Sequence, residues 1–335
     1  MKKIYYLLLG LIIALSTQTN AQAIKQESII TYPNTVISSP YQNINNLIGN
    51  FNKPIKMIFT DIDGTLIPNA QEISKISISA DVQETLNSLR KKNIPLILTS
   101  SRPAREGISI ARKLGLGNVF IIGDEGGEIV NPNGVILYED GISPKLTKDI
   151  LKNIKSFNSF YNRNVKCYIS ANGALYTLDN FQFPHITEPM KILTSTKDIN
   201  KDFHTIKMVF YSENPKTVKL LRDELRKYYP KLNIYISNDN YCDISSPTAS
   251  KAIALKKIAD MYAVNIENVA VFGDYENDIN MLEYVKNNGG LSITFENTSE
   301  PVKRAAKFIS TPAGKGGVKK AIEIILKNNE YLKED

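Results

Sequence analysis

From Lys56 onward, short apolar segments alternate along the chain with segments in which apolar residues recur every three or four positions. The second spacing predicts helices with one buried face, and its clearest members are Val82, Leu86 and Leu89, then Ala254, Ile258 and Met261. The short apolar segments predict strands at 57–59, 94–98, 119–122, 269–272, 291–294 and 308–309. Strands that are apolar on both faces and separated by helices are typical of a parallel sheet covered on both sides.

Residues 141–244 follow a different pattern, in which a helix and two strands occur twice. The predicted helices have apolar faces at Ile150, Ile154 and Phe157, then at Val218, Leu221, Leu225 and Tyr228. Strand-like segments lie at 165–170, 173–178, 205–211, 233–237 and 241–244, and Asn172-Gly173 predicts a turn between the first two. This order favours an α+β unit with an antiparallel sheet. We therefore predict an α/β fold: a doubly wound, mainly parallel sheet from residues 54–140 and 245–335, with an inserted α+β cap domain at 141–244.

The N-terminus has the three parts of a secretory signal peptide. Lys2 and Lys3 precede an apolar run from Ile4 to Leu15, and Ala21-Gln22-Ala23 supplies the small residues of a cleavage site. The run is shorter than the ~20 residues of a spanning helix, although an uncleaved anchor is the alternative. We expect residues 1–23 to be removed, residues 24–53 to form a leader, and the protein to be exported to the periplasm or secreted, touching the membrane only transiently.

Composition narrows the range of partners. The chain has 41 Lys+Arg and 34 Asp+Glu, and its net charge of +7 falls to +5 once Lys2 and Lys3 are removed. That excess is too small to indicate a nucleic-acid partner. Two His and two Cys argue against a His/Cys zinc or haem site. Cys167 and Cys242 could pair in an oxidising compartment, but their spacing decides neither that nor the oligomeric state.

The first chemical motif is Asp61-Ile62-Asp63-Gly64-Thr65, directly after the first predicted strand. Ligands of open α/β sheets bind at the carboxyl ends of the strands. Two carboxylates at this spacing suit a divided task, in which one is a nucleophile and metal ligand and the other carries a proton. Gly64 permits a sharp turn that brings backbone N–H groups near an anion. The alternatives are a Ca²⁺ loop and a solvated turn, but this segment lacks the acid-rich spacing of an EF-hand, and the apolar segment before Asp61 is a predicted strand and not a helix.

Two weaker motifs follow. Thr99-Ser100-Ser101-Arg102 ends the second predicted strand, and its hydroxyls can donate to phosphoryl oxygens. Arg102 is open to two interpretations, a substrate contact or a salt bridge at the start of a helix. Lys251 stands at a predicted helix start, where the helix dipole disfavours a cation. A role against a phosphate explains that position, whereas a surface lysine is the plain alternative.

The fourth motif, Gly273-Asp274-Tyr275-Glu276-Asn277-Asp278, places more carboxylates at a strand end. Mg²⁺ prefers oxygen ligands and needs only one or two carboxylates beside a substrate phosphate. Alone, this segment would read as a solvated acidic loop. Together with the first motif it predicts a Mg²⁺ site.

These four motifs, in this order, resemble those of the haloacid dehalogenase-like phosphohydrolase superfamily, and the position and size of the insert resemble its Cof-type, sugar-phosphatase-like branch. The similarity covers about residues 54–330. It implies a Rossmann-like core, with Asp61 as the nucleophile that forms an aspartyl-phosphate and Asp63 as general acid and then base. It further implies a Mg²⁺ site formed by the carboxylates of Asp61 and Asp274, with Asp278 beside or behind them, and by the backbone carbonyl of Asp63. The substrate phosphate would be held by Ser100 and the catalytic Lys251, with Gly64, Ser101 and Asn277 as further substrate contacts.

The sequence departs from the branch at two places near the expected substrate pocket. Ser100-Ser101-Arg102 stands where Thr-Gly-Arg is usual, and Glu125-Gly126 where Asn-Gly is usual. Both changes affect specificity more than chemistry. The expected function is an exported, Mg²⁺-dependent phosphatase of small organic phosphate monoesters similar to sugar phosphates, with a small phosphorylated metabolite as partner. The alternatives are a phosphosugar mutase or phosphotransferase with the same intermediate, and a phosphate-ester-binding protein without catalysis.

Overall fold

The computed structural model describes residues 41–68, 75–184, 186 and 189–334. The predicted signal peptide at 1–23 and residues 24–40 of the predicted leader lie outside these ranges. Core elements before the cap are β1 (Gln42–Asn43), β2 (Met57–Asp61), α1 (Ala80–Lys91), β3 (Leu96–Thr99), α2 (Ala104–Lys113), β4 (Phe120–Gly123), β5 (Glu128–Val130) and β6 (Ile136–Glu139).

The cap follows, and the core then resumes. Cap elements are α3 (Pro144–Tyr161), β7 (Lys166–Ala171), β8 (Ala174–Thr177), β9 (Met190–Ile192), β10 (Thr205–Tyr211), α4 (Pro215–Tyr228), β11 (Asn233–Asn238) and β12 (Tyr241–Ser245). The remaining core elements are α5 (Lys251–Met261), β13 (Val269–Phe272), α6 (Ile279–Asn287), β14 (Leu291–Phe295), α7 (Glu300–Ala305), β15 (Phe308–Ser310) and α8 (Gly317–Glu334).

Within the described residues the core is one nine-stranded sheet in the order β1-β15-β14-β13-β2-β3-β4-β5-β6. The pairs from β1 to β4 are parallel, β5 is antiparallel to β4, and β6 is antiparallel to β5. Strands β3 and β4 follow β2 in the chain and lie on one side of it, whereas β13, which follows the cap, lies on the other side. The strand order therefore reverses between β2 and β13, which is the place where doubly wound sheets bind ligands.

Both faces of this sheet are covered, as the doubly apolar strands predict. Ile58 packs in a cluster with Leu86 and Leu89 of α1 and with residues of α8. Its neighbour Phe59 points to the opposite face, in a cluster with Leu255 and Ile258 of α5 and with residues of α6 and α7. Successive strand side chains alternate between faces, so a strand buried on both sides is a continuous apolar run. The predicted α/β fold class is confirmed.

The leader differs from expectation over its described part. Gln42 and Asn43 pair in parallel with β15, and Ile44, Leu47 and Phe51 are buried in the core. Residues 42–53 thus belong to the folded core and do not form a leader. Their apolar residues are few and irregular in spacing, so periodicity gave no sign of an edge strand and a short turn.

The cap sheet has six strands among the described residues, in the order β11-β12-β10-β7-β8-β9. All neighbours are antiparallel except β8 and β9. One face packs against α3 and α4 through Ile154, Phe210 and Leu221. The turn predicted at Asn172-Gly173 is present between β7 and β8, and both residues have positive φ, as a two-residue hairpin requires.

Some predicted inner positions are exposed. Met261 is 54% and Tyr228 is 65% exposed, because each lies at the last residue of its helix, beyond the sheet it packs on. Cys167 and Cys242 are free and buried. They align with Phe210 from opposite sides, so two strand spacings of ~4.8 Å separate them, too far for a disulfide. None of the helices in the described ranges has the length and hydropathy of a membrane-spanning segment.

Candidate active site

The four motifs meet at the carboxyl ends of three adjacent strands. Asp61 is the last residue of β2, the 274–278 loop follows β13, and Ser100 follows β3. These strands are neighbours in the order β13-β2-β3. Lys251 is the first residue of α5, 190 positions from Asp61, and reaches the same point. Parallel pairing thus gathers segments that are far apart in the sequence.

The loop after Asp61 turns back sharply. Gly64 has φ +84°, a conformation that costs glycine little, and its N–H donates to the Ile67 carbonyl at 2.8 Å. That N–H is therefore engaged within the loop. Thr65 is buried, and its hydroxyl donates to Asp274 Oδ1 at 2.7 Å. The first and fourth motifs are thus joined directly by a hydrogen bond.

Lys251 is the centre of a buried charged cluster. Its ammonium donates to Asp61 Oδ1 at 2.6 Å and to Asp278 Oδ1 at 2.8 Å, and only 2% of Lys251 is exposed. Although burial alone would lower the pKa of Lys251, the Asp278 and Asp61 carboxylates raise it well above its ordinary value. The ammonium therefore stays charged. Asp61 Oδ1 is bound to it, whereas Asp61 Oδ2 receives no hydrogen bond from any described residue.

Asp278 also organises its own loop. Its Oδ2 accepts the backbone N–H groups of Asp274 and Tyr275 at 3.0 and 3.2 Å. Asp278 is fully buried, so its two oxygens are divided between the loop and Lys251. This arrangement explains why a carboxylate is needed at this position of the motif: it fixes both Asp274 and the lysine.

The carboxylates form a group that suits a divalent cation. One oxygen from each of Asp61, Asp274 and Asp278 lies within 4.8 Å of the others. Burial, and then the charge of Asp278, raise the pKa of Asp61 against the opposing effect of Lys251. Burial likewise raises the pKa of Asp274 to about 6. The three carboxylates carry more negative charge than the single ammonium of Lys251 balances. Their oxygens are also the hard ligands that Mg²⁺ prefers.

Asp63 lies apart from that group and is held by Arg102. The guanidinium donates from Nε to Asp63 Oδ2 at 2.7 Å and from Nη2 to Oδ1 at 2.9 Å, a bidentate pair. Its remaining nitrogen donates to Glu106 Oε2 at 3.0 Å, in the first turns of α2. Arg102 therefore makes the salt bridge at the start of a helix, and it also lines the cavity described below.

The other predicted phosphate contacts, Ser100, Ser101 and Asn277, lie near Asp61, Asp63 and Lys251. Ser100 is buried, and its Oγ accepts the Arg102 backbone N–H at 3.0 Å. Ser101 and Asn277 line the cleft between core and cap. Asn277 donates from Nδ2 to Glu125 Oε1 at 2.8 Å, so the glutamate that replaces the usual asparagine of the branch already binds one predicted contact residue.

A cavity of about 700 Å³ opens over the site, between the core loops and the cap sheet. The core contributes Asp61, Asp63 and Asp274. The cap contributes polar and aromatic side chains from four strands and their loops, which include Tyr168, Lys207, Ser237, Asp239, Tyr241 and Asp243. Its size is that of a small-molecule site. The predicted nucleophile and the predicted proton donor therefore line the same cavity.

Sequence reasoning missed the cap side of the site and Glu106. Lys207 and Asp243 lie within predicted strands and read as ordinary alternating polar positions. Their significance depends on the face of the cap sheet that meets the core, which no local pattern specifies. A charged residue in an otherwise apolar strand, such as Lys207 between Ile206 and Met208, is the one signal that could have marked it.

The family model described as haloacid dehalogenase-like hydrolase matches residues 58–322. Phosphatase YwpJ of Bacillus subtilis is 23% identical over 293 residues, which cover 79% of this chain and 97% of that protein. A haloacid dehalogenase-like hydrolase from Bacteroides thetaiotaomicron has a similar fold, with a TM-score of 0.67 and 23% identity over 81% of this chain and 99% of that one. The HAD subclass IIB sugar phosphatase BT4131 gives a TM-score of 0.64, with 18% identity over 80% and 98% of the two chains.

Proposed function

The chain belongs to the haloacid dehalogenase-like hydrolase family and is a phosphatase, and we propose that it hydrolyses small organic phosphate monoesters similar to sugar phosphates through an aspartyl-phosphate on Asp61. The observation that carries the proposal is the shared cavity lined by Asp61 and Asp63. One carboxylate lies in the three-carboxylate group, and the other lies outside it, bound to Arg102. The two groups are thereby equipped for different roles.

In the first step, Asp61 Oδ2 attacks the phosphorus while Lys251 holds Oδ1. The bond to the ester oxygen breaks, and the leaving alkoxide takes the proton of Asp63. Both Asp63 oxygens accept hydrogen bonds from Arg102 in the structure, so the acid step requires Asp63 to release one oxygen and to take up a proton from solvent before the ester bond breaks. In the second step, a water gives a proton to Asp63 and attacks the phosphorus, which releases phosphate and restores Asp61.

We propose Mg²⁺ as the cofactor, held by Asp61 and Asp274 with Asp278 beside them. When bound, it neutralises charge on the phosphoryl oxygens, which is the main requirement of phosphoryl transfer. Asp278 and Thr65 orient Asp274 for this task. The cap covers the site and limits access of water during the first step.

The test is phosphate release from a panel of sugar phosphates, nucleotides and p-nitrophenyl phosphate, with Mg²⁺ and with a chelator. We expect release that requires Mg²⁺ and falls to background in Asp61→Asn, since the amide is nearly isosteric but is not a nucleophile. The control is Asp202→Asn, an exposed cap position outside the cavity lining. Full activity of Asp61→Asn would refute the nucleophile, and full activity with the chelator would refute the metal.

We further propose that the protein is exported, on the basis of the charged start, apolar run and Ala-x-Ala of residues 1–23. The test is expression of the full chain in a bacterium, with fractionation and mass measurement of its N-terminus. We expect a periplasmic or secreted protein that begins at residue 24. Leu8→Arg, which interrupts the apolar run, is expected to keep the full-length chain in the cytoplasm. A full-length chain in the membrane fraction would indicate the uncleaved anchor instead.

A further inference from the structure

The cavity over the site has more carboxylates than cations. Among the described residues that line it, the acidic ones are Asp61, Asp63, Glu106, Asp239, Asp243 and Asp274, and the basic ones are Arg102 and Lys207. Asp61 and Asp274 belong to the three-carboxylate group assigned to Mg²⁺. The other charged residues surround the space that remains for the leaving group of a substrate.

Both cations already form ion pairs with carboxylates of the protein. Arg102 contacts two carboxylates, Asp63 and Glu106, at 2.7 and 3.0 Å. Lys207, on β10 of the cap, also contacts two, since its Nζ lies 3.4 Å from both Asp124 and Asp243. It is 2% exposed and donates as well to the Ser101 carbonyl. Each cation is therefore neutralised twice over before any substrate arrives.

Asp239 is the carboxylate left facing the cavity without a cation. It lies in the two-residue turn between β11 and β12, at the tip of a cap hairpin, and is exposed. It forms no ion pair with any residue that the structure describes. Asp243, on the same hairpin, is by contrast bound to Lys207 and accepts the Ser237 hydroxyl at 2.7 Å. Within the described chain, the cap hairpin thus presents one unpaired carboxylate at the edge of the cavity, Asp239, whereas its other carboxylate, Asp243, is paired with Lys207.

We propose, building on the function proposed above, that the substrate's leaving group is neutral or cationic and carries hydroxyl or amino donors, and that Asp239 excludes leaving groups with a second anionic group. Carboxylates, carbonyls and tyrosines favour donors such as hydroxyl and ammonium. A second phosphate or a carboxylate would be brought beside Asp239 with no unpaired cation to receive it, at a Coulomb cost. Polyol and amino-sugar monophosphates fit, whereas bisphosphates and phosphorylated acids do not.

The test compares three substrates of similar size that differ in the charge of the leaving group: glucose 6-phosphate, glucosamine 6-phosphate and 6-phosphogluconate. We expect kcat/KM for 6-phosphogluconate to be at least about tenfold below the values for the other two. The preference is the ratio of kcat/KM for glucose 6-phosphate to kcat/KM for 6-phosphogluconate. Asp239→Lys should reduce this ratio about tenfold or reverse it, because an approaching anion then meets no repulsion. Asp239→Asn should give a ratio between those of the wild type and Asp239→Lys. Asp202→Lys, which makes the same charge change on the cap but outside the cavity lining, should leave the ratio unchanged.

Binding to the Asp61→Asn protein, measured by calorimetry with the same compounds, gives a readout that does not need turnover and should show the same order of affinity. Equal or better use of the anionic compound, or an Asp239→Lys ratio no different from that of Asp202→Lys, would overturn the inference. Turnover of p-nitrophenyl phosphate with none of the neutral or cationic compounds would also overturn it. Loss of all turnover, with binding in the expected order, would refute the proposed function alone.

Discussion

At the scale of single residues, Lys251 decides the electrostatics of the site. Its ammonium is buried between Asp61 and Asp278, and the same contacts keep Asp278 available to hold the 274–278 loop. A surface lysine, the plain alternative for a cation at a helix start, does not describe this residue. Its position against the dipole of α5 is offset by two carboxylates at hydrogen-bond distance.

Lys251→Met is therefore expected to remove both stability and activity. The substitution leaves two buried carboxylates without their cation, and breaking a buried ion pair in this way costs ~3–5 kcal/mol. Urea unfolding should show that loss at neutral pH and a smaller one in acid, where the carboxylates are protonated. Lys256→Met, on the exposed side of the same helix, serves as the control. Equal stability of the two variants would contradict the buried cluster.

Asp63 carries the second prediction at this scale. If it donates the proton to the leaving oxygen, Asp63→Asn should slow hydrolysis of alkyl phosphates by ~10²–10⁴-fold. It should lower kcat/KM for p-nitrophenyl phosphate much less, since nitrophenolate leaves without a proton, whereas kcat also includes the second step, in which Asp63 is the base for either substrate. Comparison of kcat/KM on both substrates tests this, and an equal loss on both would refute the acid role.

At the scale of elements, the turn between β4 and β5 supports the start of α5. Gly126 lies in this turn with φ +94°, and a Cβ there would meet the Ser250 carbonyl carbon and oxygen at 2.2 Å and the Lys251 nitrogen at 2.6 Å. This contact is with backbone atoms, so no side chain can move away. The glycine that follows the unusual Glu125 is thus required by the close approach of two segments.

Gly126→Ala is expected to displace the start of α5 and Lys251 with it, or to prevent folding. We expect a loss of unfolding free energy of at least ~1–3 kcal/mol, from the strained φ and the clash together, and a fall in kcat for any protein that folds. Gly314→Ala, where a Cβ meets nothing within 4 Å, is the matched control. Thermal unfolding of both compares them, and a Gly126→Ala protein as stable as the control would contradict the packing described.

At the scale of the whole molecule, buried acids make stability depend on pH. Burial, and then the charges of Asp124 and Glu139, raise the pKa of Glu128 to about 8 from an ordinary value of 4.5. The folded chain therefore holds a proton that the unfolded chain releases. Glu128 contributes its full stability below pH 4.5, and the contribution is lost as pH rises through about 8.

The unfolding free energy is thus expected to fall between pH 4.5 and about 8. Since one pKa unit corresponds to ~1.4 kcal/mol, the fall should amount to a few kcal/mol. Glu128→Gln, whose amide stays neutral, should flatten this part of the pH profile. The exposed Glu213→Gln should not change it. Urea unfolding across this pH range measures the effect, and identical profiles for the two variants would refute the buried protonated Glu128.

Much of the core could be predicted from the sequence because its rules are local. A strand buried on both faces must be apolar at every position, so β2, β3, β4 and β13 are legible as runs. The antiparallel β5 and β6 were missed, since β5 is short and β6 has three partly or largely exposed apolar residues, Ile136, Leu137 and Tyr138. Neither has the length or alternation of a typical strand.

The sequence by itself determined the fold class and the residue types at the ends of β2, β3 and β13, because strand periodicity and motif spacing are properties of neighbours in the chain. Only the tertiary structure decided which atoms meet. Lys251 and Asp61 are 190 positions apart, and Arg102 and Asp63 are 39 apart. The face of the cap sheet that covers the site, and with it the position of Asp239, likewise follows from how two sheets pack. Such contacts depend on the path of the backbone between them, which no short stretch of sequence specifies.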